Sequence, residues 1–274
     1  MVGCVAVIGA GVVGGSIVRC LLKSAIVDRV IATRHSMSKL RPLRELGAEV
    51  SDDNLWASEE ADIVFICVKP GDVKGVLEEI SENVKGKILI STAAIVSLDF
   101  YYSHIPDALV VRTMPNVAAI VGESFTAFTC GDNLTEEEKG VVWNLLETMG
   151  ICMEVEEKYM DAITGLSGSG PAYVAIVIDA LLYAGLKVGL PRELALFSAA
   201  QSVLGAAKLI LEGELTPAAI EEMVTTPGGT TIDGIYEIED GKLRTALMNA
   251  VEAATRKCEN IRRIWNSSEA LKQG

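Results

Sequence analysis

The sequence predicts two domains of different class: an α/β N-terminal domain on a mostly parallel sheet over residues 1–156, and an all-α C-terminal domain over 157–274. Three observations predict it. Short β-branched runs alternate with helical stretches as far as Val155, the pattern of a parallel sheet covered by helices. After Glu156 they give way to long stretches rich in Ala, Leu, Glu and Lys at helical spacing. Three glycines, Gly9, Gly11 and Gly14, stand where the first apolar run passes into the first helix.

The strands follow in order. Residues 5–8, 30–33, 48–51, 63–68, 88–91 and 109–112 are nearly continuous apolar runs, as strands buried on both faces require. Residues 125–130 and 152–155 add edge strands around a helix that begins near Thr135, where Thr135 and Glu138 form a capping box. Helices are predicted at 159–188, 192–212, 217–224, 230–237 and 243–267. Pro191 and Pro217 suit first-turn positions, and Gly189 and Gly213 suit helix ends. No low-complexity linker or internal repeat separates the halves.

Composition narrows the function. Half of the 274 residues are hydrophobic and the net charge is -13, which disfavours binding to nucleic acid. The six cysteines contain no CxxC pair, so neither a metal site nor a disulfide framework is expected, and a reducing cytoplasm fits. No basic residue precedes the apolar N-terminal run, against a secretory signal. The apolar run 172–190 contains Asp179 and Lys187, so a helix buried between subunits is expected rather than a membrane span. The helical half has more apolar surface than one small bundle covers, which points to a homo-oligomer.

Gly9, Ala10, Gly11, Val12, Val13 and Gly14 spell GxGxxG at the end of a strand and the start of a helix, a dinucleotide-binding, Rossmann-like signature. Gly9 permits the tight turn, Gly11 lets the backbone approach a pyrophosphate, and Gly14 lets helix pack on strand. The helix N-terminus supplies amide donors and a positive dipole end. An NAD-preferring fold carries a carboxylate at the end of the second strand; here Arg34, His35 and Ser36 follow Thr33. The planar fork of Arg34 suits a 2'-phosphate, so NADP(H) is favoured, with NAD(H) at lower preference. Asn54 follows the third strand on the adenosine side. Val68, Lys69 and Pro70 after the fourth strand, Ala94 after the fifth, and Met114, Pro115 and Asn116 after the sixth reach the same carboxyl rim, where ligands bind in such folds.

In the second half, 227–231 reads PGGTT, a breaker-rich turn opening a helix. Free amides of Gly229, Thr230 and Thr231, with the hydroxyls of Thr226 and Thr231, suit a carboxylate; a structural helix cap is the other reading. Only two histidines exist, His35 and His104, and the second sits in an apparent connector before Pro106, which disfavours a histidine-based hydroxyacid dehydrogenase.

GAGVVG at Gly9, VKP at Val68, RTMPN at Arg112, TGLSGSGPAY at Thr164 and TTPGGTT at Thr225 together resemble the pyrroline-5-carboxylate reductase family, over nearly the whole chain. The chain departs from the family at Gly71, where Gln is frequent, and at Ala118 and Ser124, where Pro and Gly are usual. The resemblance implies reduction of 1-pyrroline-5-carboxylate, a cyclic imine carboxylate, to L-proline by hydride transfer from NADPH. It implies Thr164 near the ring nitrogen, Lys69 and Glu214 as charge partners, Glu157 as a substrate-site residue and the PGGTT turn as the substrate loop. It implies that the helical domain is a dimerisation domain giving a homodimer, with a decameric ring as the higher assembly. Another NADP-dependent imine or β-hydroxyacid reductase, or a non-catalytic NADP-binding regulator, are the alternatives. The absence of a lysine from TGLSGSGPAY counts against the hydroxyacid enzyme.

Overall fold

A computed structural model of the chain describes the backbone of residues 2–273 and the side chains of residues 2–267. It divides into two compact units, one running to Ser169 and resuming at Ala253, the other Gly170–Glu252. Packing therefore does not divide the chain at the expected border of 156/157. The reason is a pair of long-range ionic ties: Arg112 Nη1 lies 2.9 Å from Glu157 Oε1, and Arg262 Nε lies 2.7 Å from Asp161 Oδ2.

The first unit is built on strands β1 (Val2–Ile8), β2 (Val27–Thr33), β3 (Glu49–Ser51), β4 (Ile63–Ile66), β5 (Ile88–Ser91), β6 (Leu109–Met114), β7 (Ser124–Cys130) and β8 (Gly150–Glu154). Among the described residues they form one sheet in the order β3-β2-β1-β4-β5-β6-β7-β8. Every neighbouring pair is parallel except β6 and β7. Flanking it are α1 (Val12–Ser24), α2 (Arg41–Glu45), α3 (Asn54–Glu60), α4 (Pro70–Ile80), α5 (Leu98–His104) and α6 (Glu136–Glu147).

Strand side chains alternate between faces. Val5 and Val7 of β1 join one core with Ile17, Leu21 and Phe65, while Ala6 and Ile8 join the other with Val64, Leu77 and Leu89. Each such fully buried aliphatic side chain is worth about 1.5–3 kcal/mol, which explains the unbroken apolar runs. The chain reverses direction across the sheet at β1, which pairs with both β2 and β4. The crevice beyond the carboxyl ends of β1 and β4 is thus the switch point of the sheet.

The Thr135–Glu138 capping box opens α6 as expected. Two expectations change. His104 ends α5 instead of lying in a connector, its Nδ1 2.9 Å from the Phe100 carbonyl. The helix expected at 159–188 is broken into α7 (Met160–Ile163), a π-helical turn at Thr164–Gly168 and α8 (Gly170–Lys187). Small residues and glycines lower the local helix preference, and the wide turn closes through Ser169 N donating to Thr164 O at 3.0 Å.

The second unit contains α8, α9 (Arg192–Leu211), α10 (Pro217–Val224), α11 (Thr230–Asp240) and the start of α12 (Leu243–Gln273). Helices α8 and α9 cross closely; a Cβ on Gly185 would stand 2.7 Å from that of Ala195. Large apolar side chains, among them Ile176, Tyr183, Phe197 and Leu211, are exposed. By length and composition alone, α9 and the helical run ending in α8 are apolar enough to cross a membrane.

Candidate active site

The first element of the site is the turn between β1 and α1. Gly9 has φ +89°, a conformation that only glycine adopts at little cost. The Gly9 and Ala10 amides donate to Thr33 O at 3.1 and 2.9 Å, and the Gly11 amide donates back to Gly9 O at 2.7 Å. A Cβ on Gly14 would meet Gly9 O at 2.6 Å and Cys67 Cβ at 3.0 Å, so α1 seats directly on the turn. Helix α1 has no side-chain cap and no acidic residue in its first turn. Its leading amides, Val12, Val13 and Gly14, have no helical acceptor and face the end of the strand, the arrangement that holds a pyrophosphate.

This turn is the floor of a cleft of about 670 Å³ that also takes in Thr33, Arg34, His35, Asn54, Val68 and Lys69. Arg34 lies across the glycine turn, with Nη1 donating to Ala10 O at 3.3 Å, and keeps most of its donors for a ligand. Ser36 pairs with Ser38 at 3.2 Å. Asn54 is tied on both sides: Thr33 Oγ1 donates to its Oδ1 at 2.6 Å and its Nδ2 donates to Glu79 Oε2 at 3.0 Å. It therefore shapes the adenosine side of the cleft. Sequence reasoning missed Asp52, Asp72 and Glu79, which also line it; their only signal is position after β3 and along α4.

At the opposite wall β4 ends at Ile66, two residues earlier than expected, which leaves Cys67 and Val68 in the loop. Burial pushes the Cys67 thiol up to about 12, so the cleft holds an uncharged thiol beside Gly9 and Gly14. Lys69 is exposed, Pro70 starts α4, and no hydrogen bond or ion pair reaches the ammonium among the described residues. Ala94 precedes Ile95, a buried β-branched residue at φ +68°. Such strain costs about 1–3 kcal/mol and concentrates at functional loops.

The carboxyl end of β6 meets the π-helical turn in the same unit. Asn116 Nδ2 donates to Ser167 O at 3.1 Å, and the Met114 methyl stands where a Cβ on Gly168 would come within 2.9 Å. Pro115 between them is buried. Thr164 Oγ1 donates to Met160 O at 2.7 Å, which leaves its lone pairs to accept from a ligand. Glu157 is engaged: its Oε1 accepts from Arg112 Nη1 and from the Leu98 amide, both at 2.9 Å. Arg112 is 4% exposed, so this carboxylate neutralises a buried guanidinium.

In the second unit, the PGGTT turn departs from expectation at one donor. Gly229 N donates to Thr226 O at 2.9 Å, so its amide closes the turn and is not free. Gly228 has φ +71°, and a Cβ on Gly229 would meet Thr226 Oγ1 at 2.4 Å. Gly229 is the N-cap of α11 without any side-chain cap, which leaves the amides of Thr230 and Thr231 without helical acceptors. Glu214 lies between α9 and α10 at φ +53° and is exposed.

The chain is similar to known proteins in sequence and in fold. Residues 157–261 match the family description "Pyrroline-5-carboxylate reductase dimerisation", and residues 4–95 match "NADP oxidoreductase coenzyme F420-dependent". The chain is 39% identical to pyrroline-5-carboxylate reductase of Arabidopsis thaliana, over 93% of this chain and 94% of the relative. It is 38% identical to that of Methanosarcina acetivorans, over 93% and 96% of the two. Among solved structures, pyrroline carboxylate reductase of Plasmodium falciparum with NADP bound superposes at TM-score 0.85 and 27% identity, covering 94% of this chain and 97% of the other. That of Coxiella burnetii gives TM-score 0.87 at 30% identity, covering 93% and 97%. A ketol-acid reductoisomerase at 18% identity and TM-score 0.63 shares the fold alone. The glycine turn on β1, the Thr164 block and the PGGTT turn thus sit in a chain that belongs to the pyrroline-5-carboxylate reductase family.

Proposed function

We propose that this protein reduces 1-pyrroline-5-carboxylate to L-proline with NADPH as hydride donor, NADH being a poorer one. The observation that carries the reading is the cleft at the switch point, where uncapped α1 amides and Arg34 stand together with no carboxylate at the end of β2. The fit is local and physical: Gly14 brings α1 onto the turn, and Arg34 offers a planar fork to a 2'-phosphate. NADPH, when bound, supplies the hydride that adds to the ring carbon of the C=N bond, turning the imine into a secondary amine.

The chain's own residues bind and orient. Val12, Val13 and Gly14 amides, with Lys69, hold phosphate; Met114, Pro115, Asn116 and Ala94 line the nicotinamide end. The Thr164 oxygen accepts the N–H of the protonated imine and so favours the form that attracts hydride. Lys69 is a charge partner at the cofactor cleft and Glu214 a charge partner of the substrate, and Glu157 acts through Arg112 instead of on the substrate. The amides of Thr230 and Thr231 and the hydroxyls of Thr226 and Thr231 anchor the substrate carboxylate. Removing one such hydroxyl forfeits a charge-assisted hydrogen bond of about 1.5–3 kcal/mol. Thr231→Ala is therefore expected to raise the Michaelis constant for pyrroline-5-carboxylate, and to weaken proline binding, by about tenfold or more, with NADPH binding intact. Titration of both ligands checks it; loss of NADPH binding instead would make the turn purely structural.

The protein is an oligomer, and we propose that the exposed apolar faces of α8 and α9 cover one another in a homodimer, with a decamer as the higher assembly. Support comes from their apolar exposure and from the dimerisation match over 157–261. A reducing, cytoplasmic setting agrees with cysteines that stand as free thiols.

A further inference from the structure

The block that presents Thr164 rests on a buried carboxylate that the cleft does not use. Asp161, on α7 one turn before Thr164, is 5% exposed. A carboxylate taken out of water must have its charge paired and its lone pairs met. Both oxygens are engaged: Arg262 Nε donates to Oδ2 at 2.7 Å, and Cys258 Sγ donates to Oδ1 at 3.5 Å. The two donors lie four residues apart on α12, hence on one face of that helix. Cys258 is itself buried, and burial followed by the Asp161 carboxylate pushes its thiol up to about 11, so it keeps the proton that it donates.

Thr164 Oγ1 donates to the Met160 carbonyl at 2.7 Å, and Met160 is the neighbour of Asp161 on α7, so the ties from α12 to Asp161 fix the turn that carries the hydroxyl. The need for an outside hold is plain from the local structure. Thr164–Gly168 is a single π-helical turn with two glycines, and such a turn alone does not keep a hydroxyl within the fraction of an ångström that a reacting geometry demands. On its far side the turn is tied by Asn116 to Ser167; on the Thr164 side, Asp161 and its two α12 partners do the equivalent work.

We propose that Asp161 and Cys258, anchored by Arg262, are positioning residues that fix α7 and through it hold the Thr164 hydroxyl in the orientation used in the reduction. This rests on the role given above to Thr164. A double-mutant cycle in the full chain separates the two claims. Cys258→Ala is expected to lower kcat about tenfold, while the Michaelis constant for NADPH stays within about twofold; Cys258→Ser, which keeps a donor to Asp161, restores kcat to within about twofold. In a Thr164→Val background, itself impaired, Cys258→Ala is expected to cost less than about a further twofold, because the group it positions is gone. Asp161→Asn, which keeps the side-chain shape, is expected to reproduce the kcat-selective loss with NADPH binding retained.

Equal losses from Cys258→Ala in both backgrounds, or an unchanged kcat in both Cys258→Ala and Asp161→Asn, would overturn the proposal while leaving Thr164 in place. Full turnover by Thr164→Val would remove the role of Thr164 and the proposal with it.

Discussion

Gly14→Ala is expected to abolish tight NADPH binding while the sheet remains folded. The added Cβ would lie 2.6 Å from Gly9 O and 3.0 Å from Cys67 Cβ. The first of these is backbone in a turn already fixed by the Gly9, Ala10 and Gly11 hydrogen bonds, so it cannot give way as a flexible side chain would. Helix α1 must move off the strand instead. Such overpacking costs about 1–3 kcal/mol, and displacing the α1 amides costs the anion its donors, so the dissociation constant is expected to rise about 100-fold or more. Fluorescence titration with NADPH, beside circular dichroism of the same sample, measures both parts. An unchanged dissociation constant would mean that α1 does not carry the phosphates.

Arg34→Ala is expected to act on one cofactor only. Arg34 extends over the glycine turn with one donor on Ala10 O and the rest of its fork unused. A charge-assisted bond to a phosphate contributes about 1.5–3 kcal/mol, or about 10–100-fold in the Michaelis constant for NADPH. NADH has no 2'-phosphate, so its constant is expected to stay within about twofold. Steady-state kinetics with each cofactor decide it, and equal effects on both would show that Arg34 reads no 2'-phosphate.

Much of the fold was legible because strands buried on both faces leave unbroken apolar runs, and Val5–Ile8 of β1 or Ile63–Ile66 of β4 read clearly. The beginnings of β1 and β2 did not, since the exposed Gly3, Asp28 and Arg29 interrupt the apolar run. The glycine turn and the capping box at Thr135 were legible because each is a local backbone problem with a local chemical answer. The division into units was not: it depends on Arg112 meeting Glu157, 45 residues away, and on Arg262 meeting Asp161, 101 residues away. Periodicity carries no record of such pairs.

The site shows the same contrast. Arg34, His35, Asn54 and Lys69 were chosen by their place after strands, and strand ends converge at the carboxyl edge of a parallel sheet. The loss of the Gly229 amide to Thr226 could not be read, because it depends on the dihedral angles of Gly228. Asp161 offered one faint signal, a single acid in the apolar stretch around Met160 and Ile163. Its partners on α12 give that acid its meaning.

The central claim is tested most directly by following NADPH oxidation by the purified full-length protein on addition of pyrroline-5-carboxylate, with proline identified as the product. The account expects substrate-dependent oxidation that forms proline and runs faster with NADPH than with NADH. A folded oligomer that binds NADPH and yet forms no proline from pyrroline-5-carboxylate would contradict it.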